Sequence, residues 1–217
     1  MKDHVKSAYK ASEHIYDDVL TQNSIFSRLY VKIFWNGIDD KQIAEHILSW
    51  IPSDFKGRIL DVPAGTAVFT YRKWKSLVNA DITLLDYSED MLVQAEERLH
   101  GCKHISFMQG DASKLTFENN TFDIVLSMNG FHAFEDKKDA FYEIKRVLKP
   151  GGMFIGCFYI RNESEITDWL VNHILARKGW FTPPFLTFNE LRYILEREYR
   201  EVDINHGGSI AYFKCAK

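Results

Sequence analysis

From residue 57 onward, strand signals and helix signals alternate along the chain, and this alternation limits the fold more than any other feature. Short apolar runs of β-forming residues predict strands at Arg58–Val62, Ile82–Leu85, Ile105–Met108, Phe122–Met128 and Met153–Tyr159. Helical patterns between them include Thr66–Leu77 and Lys138–Leu148. Strand–helix–strand units close with right-handed crossovers, so we expect a parallel sheet with helices on both faces.

The last part of the chain departs from this alternation. Helices are predicted near Ser164–Arg177 and at Asn189–Tyr199, on either side of the aromatic loop Trp180–Phe185. Two short strands, Glu201–Asn205 and Ile210–Cys215, are then joined by His-Gly-Gly-Ser, which is typical of a hairpin. The predicted fold class is α/β: a Rossmann-like, doubly wound sheet of seven strands, mostly parallel with an antiparallel C-terminal strand.

Residues 1–56 differ from the rest by their helical pattern and their many aromatic side chains. Asp39 and Gln42 form a predicted capping pair, at the start of a helix that ends before Pro52. We therefore expect an N-terminal helical cap (1–56) and a core (57–217) with a helical insertion near 161–187. The aromatic side chains of the cap either pack against the edge of the core or form a flap over a ligand site.

Composition and charge argue against several classes of protein. The 217 residues carry a formal net charge of −3, which does not suit a protein that coats nucleic acid or an anionic membrane. No apolar run reaches the roughly 20 residues that a membrane-spanning helix needs, and the N-terminus lacks a secretory signal. The three cysteines are isolated, which predicts free thiols and no metal site. We expect a cytoplasmic monomer or weak homodimer.

Polar or small residues follow the ends of the first four predicted strands. Asp61 and Gly65 follow the first, Asp86 the second, Asp111 the third and Asn129 the fourth. The carboxyl ends of strands in a doubly wound sheet border one crevice, so these residues are expected to meet around one ligand. A carboxylate about 20 residues after a glycine turn is placed to accept hydrogen bonds from ribose hydroxyls. The pattern predicts a nucleoside cofactor.

The motifs at these strand ends resemble those of the class I S-adenosylmethionine-dependent methyltransferases. ILDVPAGT matches their glycine motif and LLDYSEDML their ribose-binding acidic motif. QGDASKLTFENNTFDIVLSM matches the adenine turn and fourth strand, and IKRVLKPGGMF matches the helix, turn and fifth strand. Together they cover about residues 57–160, and they are similar to the small-molecule enzymes of ubiquinone and menaquinone biosynthesis. The resemblance implies S-adenosylmethionine as cofactor and a small-molecule methyl acceptor.

The resemblance also implies which residues bind the methionine part of the cofactor. Asp61 and Gly65 would lie near it, with Ala64 and Thr66 in the same turn, and Asn129 would border it from the fourth strand. The glycine motif departs from the usual acidic-x-Gly-x-Gly-x-Gly pattern, because proline and alanine stand at its outer glycine positions. Proline has no N–H to donate, but the central Gly65 is kept, so at worst this departure predicts weakened and not absent cofactor binding.

For the nucleoside part of the cofactor, the resemblance implies a second group of residues. Asp86 would bind the ribose hydroxyls, and Tyr87 and Met91 would flank the adenine. Asp111 would accept a hydrogen bond from the adenine amino group, since a carboxylate suits a two-proton donor, with the backbone of Ala112 beside it.

No residue is predicted to be catalytic on comparable grounds. Methyl transfer from a sulfonium is an in-line displacement that depends on alignment and exclusion of water, so an amine or thiol acceptor needs no strong base. His132 is a candidate base for a hydroxyl or carbon acceptor, although a histidine in such a turn is more often structural. Five aromatic residues either wall the acceptor pocket or cover the core: Tyr16, Tyr30, Trp35, Trp180 and Phe185.

Three alternatives stay open. A nicotinamide-dependent oxidoreductase would carry G-x-G-x-x-G, which the turn around Gly65 does not supply. A non-catalytic protein that binds S-adenosylmethionine or another nucleotide is compatible with the altered turn, but it would not need Asp86 and Asp111. A nucleic-acid methyltransferase of the same fold is expected to carry a basic aromatic strip or an Asn/Asp-Pro-Pro-Tyr-like motif after the fourth strand, and Asn129–His132 does not match.

Overall fold

The computed structural model describes residues 40–217. The predicted cap therefore lies largely outside the described residues, as do Asp39 of the capping pair and the aromatic residues Tyr16, Tyr30 and Trp35. The division of the chain at residue 56 stays a prediction. Among residues 40–217, every helix is too short or too polar to span a lipid bilayer.

Seven strands and six α-helices form the described fold. The strands are β1 (Arg58–Asp61), β2 (Asp81–Asp86), β3 (Ile105–Gln109), β4 (Phe122–Met128), β5 (Leu148–Tyr159), β6 (Glu201–Gly207) and β7 (Ile210–Ala216). The helices are α1 (Asp40–Ser49), α2 (Tyr71–Ser76), α3 (Glu89–Arg98), α4 (Lys137–Val147), α5 (Glu165–Leu170) and α6 (Phe188–Glu198). A π-helical turn, Val171–Leu175, continues α5, and a 3-10 turn, Phe131–Ala133, follows β4.

The strands pair in one sheet in the order β3-β2-β1-β4-β5-β7-β6. Strands β1 to β5 are mutually parallel, whereas β7 is antiparallel to both β5 and β6. The predicted fold class is confirmed, including the antiparallel C-terminal strand. The order of the chain reverses between β1 and β4, and open α/β sheets bind ligands at the carboxyl ends of the strands at such a point.

Two hydrophobic clusters cover the two faces of the sheet. On one face the cluster includes Ile47 of α1, Trp74 of α2 and Ala95 of α3, all of them without solvent exposure. On the other face it includes Ile144 of α4 and Leu195 of α6. Helices α1, α2 and α3 thus pack on one face and α4 and α6 on the other. Both faces of the sheet are covered, as a doubly wound fold requires.

Two elements begin five residues away from their predicted starts. Helix α2 begins at Tyr71 rather than Thr66, because the chain before it forms a series of turns. Strand β5 begins at Leu148 rather than Met153, and its pairing with β4 is irregular over the Lys149–Gly152 segment, where Gly151 has a left-handed φ of +77°. The end of the chain holds this segment in place, since Gly151 N donates to Lys217 O and Lys217 N donates to Gly152 O, both at 2.9 Å.

Candidate active site

A cleft opens at the carboxyl edge of the sheet, above the reversal between β1 and β4. Its empty space, including the open mouth, is about 1240 Å³. Every predicted cofactor residue lines it: Asp61, Ala64, Gly65, Thr66, Asp86, Tyr87, Met91, Asp111, Ala112 and Asn129. Residues that are far apart in sequence therefore surround one cavity, as the predicted sheet requires.

The turn between β1 and α2 is fixed by the strands on either side of it. Val62 N donates to Leu126 O of β4, and Ala64 N donates to Leu85 O of β2, both at 2.9 Å. Gly65 and Ala67 have left-handed φ values of +53° and +57°. A helix cannot pass through left-handed residues, so α2 starts only after the turn is complete.

Pro63, at the first glycine position of the motif, packs closely against Gly130 in the turn after β4. A Cβ placed on Gly130 would overlap the Cδ and Cγ atoms of Pro63. Gly130 itself has a φ of −110°, which any residue adopts, so the contact with Pro63 and not the backbone conformation requires glycine there. The two turns at the floor of the cleft are thus fitted to each other through Pro63 and Gly130.

Asp86 connects the glycine turn to the end of β2. Its Oδ2 accepts a hydrogen bond from Gly65 N at 2.7 Å, and its Oδ1 accepts one from Ser88 N at 2.9 Å. Burial raises the pKa of this carboxyl, while the bonds from these backbone N–H groups act in the opposite direction. A carboxylate has about four acceptor sites, so Asp86 retains capacity for ribose hydroxyls.

Asp61 lies at the floor of the cleft with only 1% of its surface exposed. The indole Nε1–H of Trp74 donates to its Oδ2 at 2.8 Å. Burial raises the pKa of Asp61 to about 7, the side chains of Trp74 and Thr70 beside it lower it, and the nearby charge of Asp86 raises it. The carboxyl group is therefore close to half ionised at neutral pH.

The turn after β3 supplies the third acidic residue. Asp111 Oδ1 accepts hydrogen bonds from Ser113 N at 2.9 Å and from Ser113 Oγ at 2.7 Å, which fixes the turn beside Ala112. On the other side, Tyr87 is 40% exposed, whereas Met91 is buried in the first turn of α3. A polar edge and two flanking side chains therefore stand where the resemblance requires an adenine site.

The two candidates after β4 differ in their orientation. Asn129 lines the cleft with a left-handed φ of +52°, and its N–H donates to Cys157 O at 2.7 Å. His132 is not among the lining residues; its ring stacks on Phe181 with 3.9 Å between centroids. Burial, and then the charge of Lys137, lowers the pKa of His132 to about 3. These features fit a structural histidine better than a general base.

The aromatic loop of the insertion packs into the core. Trp180, Phe181 and Phe185 are buried in the cluster on the face that α1, α2 and α3 cover, and none of them lines the cleft. Lys137 Nζ, at the start of α4, donates to Thr182 O of the loop, and Thr182 N donates to His132 O of the 3-10 turn. Of the two interpretations of Trp180 and Phe185, covering the core is the one that these contacts favour.

Several lining residues were not predicted. Phe69 and Thr70 lie in the turn that resembled a helix, and Phe134, Glu135 and Asp136 follow the 3-10 turn after β4. The last three were accessible to sequence reasoning, because the segment after each parallel strand end borders the crevice. The contact between Trp74 and Asp61 has no sequence signal.

The groups that line the cleft fit an adenosyl cofactor with a positively charged methionine part. Apart from its two chain neighbours, no atom of the described residues lies within 4 Å of a Cβ placed on Gly65, so the backbone there is open to the cleft. Among the lining residues in 40–217, five are Asp or Glu and none is Lys, Arg or His. An acidic cavity beside an exposed backbone turn suits a ligand that combines ribose hydroxyls with cationic groups.

Residues 60–156 match the family described as methyltransferase domain, over a range that runs from β1 into β5 and includes all four polar strand ends. This segment of the chain carries a class I S-adenosylmethionine-dependent methyltransferase domain, and the cofactor of that family is S-adenosylmethionine. This confirms the family that the motifs predicted.

Among its relatives, the chain is 36% identical to demethylmenaquinone methyltransferase from Staphylococcus haemolyticus over 112 residues, or 51% of this chain and 47% of that protein. The chain spans about half the length of the curated relatives it matches.

Two solved structures share the fold. One is an S-adenosylmethionine-dependent methyltransferase from Thermotoga maritima, with a TM-score of 0.65 and 17% identity over 94% of this chain and 98% of that one. The other is phosphoethanolamine N-methyltransferase 2 from Haemonchus contortus in complex with S-adenosyl-L-methionine, with a TM-score of 0.68 and 18% identity over 91% of this chain and 58% of that one.

Proposed function

We propose that this protein transfers the methyl group of S-adenosylmethionine to a small-molecule acceptor bound in the same cleft. The observation that carries the proposal is the bond between Gly65 N and the Asp86 carboxylate, at 2.7 Å. It brings an open backbone turn and a ribose-type acceptor together at the reversal of the strand order. Neither a purely structural turn nor a lone surface carboxylate requires that arrangement.

The residues of the cleft divide the binding of the cofactor between them. Asp86 would accept hydrogen bonds from the ribose hydroxyls, and Asp111 with the Ala112 backbone would bind the polar edge of the adenine. Tyr87 and Met91 would flank the ring. Asp61, Ala64, Gly65, Thr66 and Asn129 would surround the methionine part, whose sulfonium supplies the methyl group and leaves as a neutral thioether.

The protein would contribute alignment and exclusion of water rather than a strong base. Phe69, Met128 and Phe134 give the cleft apolar walls on which an acceptor can be held near the cofactor. His132 packs against Phe181, away from the lining residues, so it is not the base that we propose. An amine or thiol acceptor, or a carbon already activated as an enolate or phenolate, is compatible with this site.

The acceptor is proposed to be a small molecule and not a nucleic acid. A site for a nucleic acid needs basic side chains for phosphates, and none lines the cleft among the described residues. Similarity to a demethylmenaquinone methyltransferase makes quinones the first acceptors to test. A cytoplasmic location and a monomeric or weakly dimeric state complete the proposal.

Calorimetric titration with S-adenosylmethionine, S-adenosylhomocysteine and NAD tests the cofactor. We expect binding of the first two only, and a loss of about 10–100-fold in affinity for Asp86→Asn, because a hydrogen bond to a charged group contributes about 1.5–3 kcal/mol. Asp123→Asn is the matched control, since Asp123 bonds Arg58 N and Lys149 outside the cleft. Binding of NAD alone would refute the proposal.

Turnover is tested by the formation of S-adenosylhomocysteine with reduced quinones, amines and thiols as acceptors. Product that depends on both the acceptor and Asp86 supports an enzyme. Tight cofactor binding without turnover on any acceptor class would instead favour a non-catalytic binding protein.

A further inference from the structure

Trp74 is held in one orientation by its surroundings. Its side chain is fully buried, its backbone N donates to Thr70 O at 2.9 Å, and its carbonyl accepts from His104 Nε2 at 2.9 Å. The indole Nε1–H, the only polar atom of this side chain, donates to Asp61 Oδ2. The side chain therefore presents a fixed donor to the carboxylate at the floor of the cleft.

Asp61 has no cationic partner among the described residues. The charge that acts on Asp61 is the carboxylate of Asp86 in β2, which repels it. Lys73 of α2 donates to Ile51 O, and the acidic residue of β4, Asp123, pairs with Lys149 outside the cleft. A buried carboxylate with only the neutral donors Trp74 and Thr70 beside it is costly to ionise unless a positive charge arrives from elsewhere.

We propose that Trp74 is a positioning residue: its indole N–H holds Asp61 in the orientation in which the carboxylate pairs with a cationic group of the bound cofactor, so that binding releases a proton from Asp61. The inference rests on the proposed cofactor. S-adenosylmethionine offers two cations, the ammonium and the sulfonium of its methionine part. S-adenosylhomocysteine offers the ammonium alone, and 5′-methylthioadenosine has neither.

The sign and size of the proton release follow from the burial of Asp61. A carboxyl with a pKa of about 7 is roughly three-quarters protonated at pH 6.5, and a cation beside it lowers that pKa. Binding of S-adenosylmethionine at pH 6.5 is therefore expected to release about 0.7 proton, falling towards zero by pH 8.5. Calorimetry in two buffers of different ionisation enthalpy measures this number.

Trp74→Phe removes the N–H and retains an aromatic ring in the core. The pKa of Asp61 then rises, because the bond that favours its charged form is lost. We expect affinity for S-adenosylmethionine to fall about tenfold at pH 7.5 and to recover as the pH is raised to about 9. Affinity for 5′-methylthioadenosine should stay within about twofold of the wild type, since this ligand brings no charge to Asp61.

Asp61→Asn keeps the shape of the side chain and cannot ionise. It should abolish the proton release, and Trp74→Phe should have no further effect on cofactor affinity in its background. Proton release on binding of both S-adenosylmethionine and S-adenosylhomocysteine assigns the ammonium as the partner of Asp61. Proton release with S-adenosylmethionine alone assigns the sulfonium. Either result supports the proposal.

Two results would overturn it. One is equal loss of affinity for all three ligands in Trp74→Phe, which would give Trp74 a merely structural role. The other is binding of S-adenosylmethionine without proton release at pH 6.5. In both cases the cofactor still binds, so the proposed function stands; if neither S-adenosylmethionine nor S-adenosylhomocysteine binds, the proposed function itself is wrong.

Discussion

Replacing Gly130 by alanine tests how closely the turn after β4 fits the turn after β1. The added Cβ would overlap the Cδ and Cγ atoms of Pro63, whereas the φ of −110° at Gly130 is compatible with alanine. All of the expected cost is therefore steric. Removing those two carbon atoms with Pro63→Ala should relieve it.

The magnitudes separate the single variants from the double variant. Overpacking of this kind costs about 1–3 kcal/mol or more. Without the clash, replacing glycine by alanine at an allowed φ stabilises the folded protein by about 0.4–1 kcal/mol, because alanine lowers the conformational entropy of the unfolded chain. Gly130→Ala should thus lower the free energy of unfolding by about 3 kcal/mol in the wild type and by nothing in the Pro63→Ala background. The coupling energy between Gly130 and Pro63 is then at least about 2 kcal/mol.

Urea denaturation of the cofactor-free protein, followed by tryptophan fluorescence, measures these free energies. Gly156→Ala is the matched control, because a Cβ there would overlap the carbonyl oxygen of Ser127, which Pro63→Ala does not touch. Its cost should add to that of Pro63→Ala within about 0.5 kcal/mol. Additive costs for Gly130→Ala and Pro63→Ala would refute the fit between the two turns.

Three further predictions concern other parts of the site and its support. Gly65→Ala should lower the free energy of unfolding by only about 1 kcal/mol, which is the cost of alanine at a φ of +53°. The same change should lower cofactor affinity at least tenfold by calorimetry, since the added methyl group enters the cleft, and unchanged affinity would mean that the cofactor does not approach Gly65. The pKa of Asp61 is raised from 3.8 to about 7 in the folded state, so the folded protein holds a proton that the unfolded chain has already released. The free energy of unfolding of the wild type should therefore fall by up to roughly 4 kcal/mol between pH 4 and pH 7 relative to that of Asp61→Asn, and melting temperatures that run parallel over this range would contradict this. Arg146 donates to the carbonyls of Leu115 and Phe117 and to Glu143, so Arg146→Met should lower the free energy of unfolding by about 2–3 kcal/mol in urea, and full rescue by lysine would show that the planar fork is not needed.

Periodicity and turn residues were sufficient to predict the sheet. The strands of a doubly wound fold are buried on both faces, so runs such as Ile82–Leu85 are continuous and easily recognised. The polar residues that end those runs, Asp61, Asp86 and Asn129, were predicted to meet because parallel strands end at one edge, and all of them line the cleft. Local pattern and fold topology agree at these positions.

Contacts between distant segments explain where prediction failed. Ala67 has a high helix propensity, yet it adopts a φ of +57° because the turn is bound to β2 and β4 at the same time. Trp180 and Phe185 have the composition of a pocket wall, but both pack into the core on the face that α1, α2 and α3 cover. The hydrogen bond from Trp74 to Asp61 depends on where α2 begins, which the sequence did not predict.

The bond between Gly65 and Asp86 also has a kinetic consequence. Both partners belong to the protein, so the turn that receives the cofactor is ordered during folding. The conformational entropy of that turn is then lost before the cofactor arrives and does not weaken its affinity. Cofactor capture should consequently be a single fast step without a slow loop rearrangement, and variants of the cleft should differ mainly in how quickly they release the cofactor.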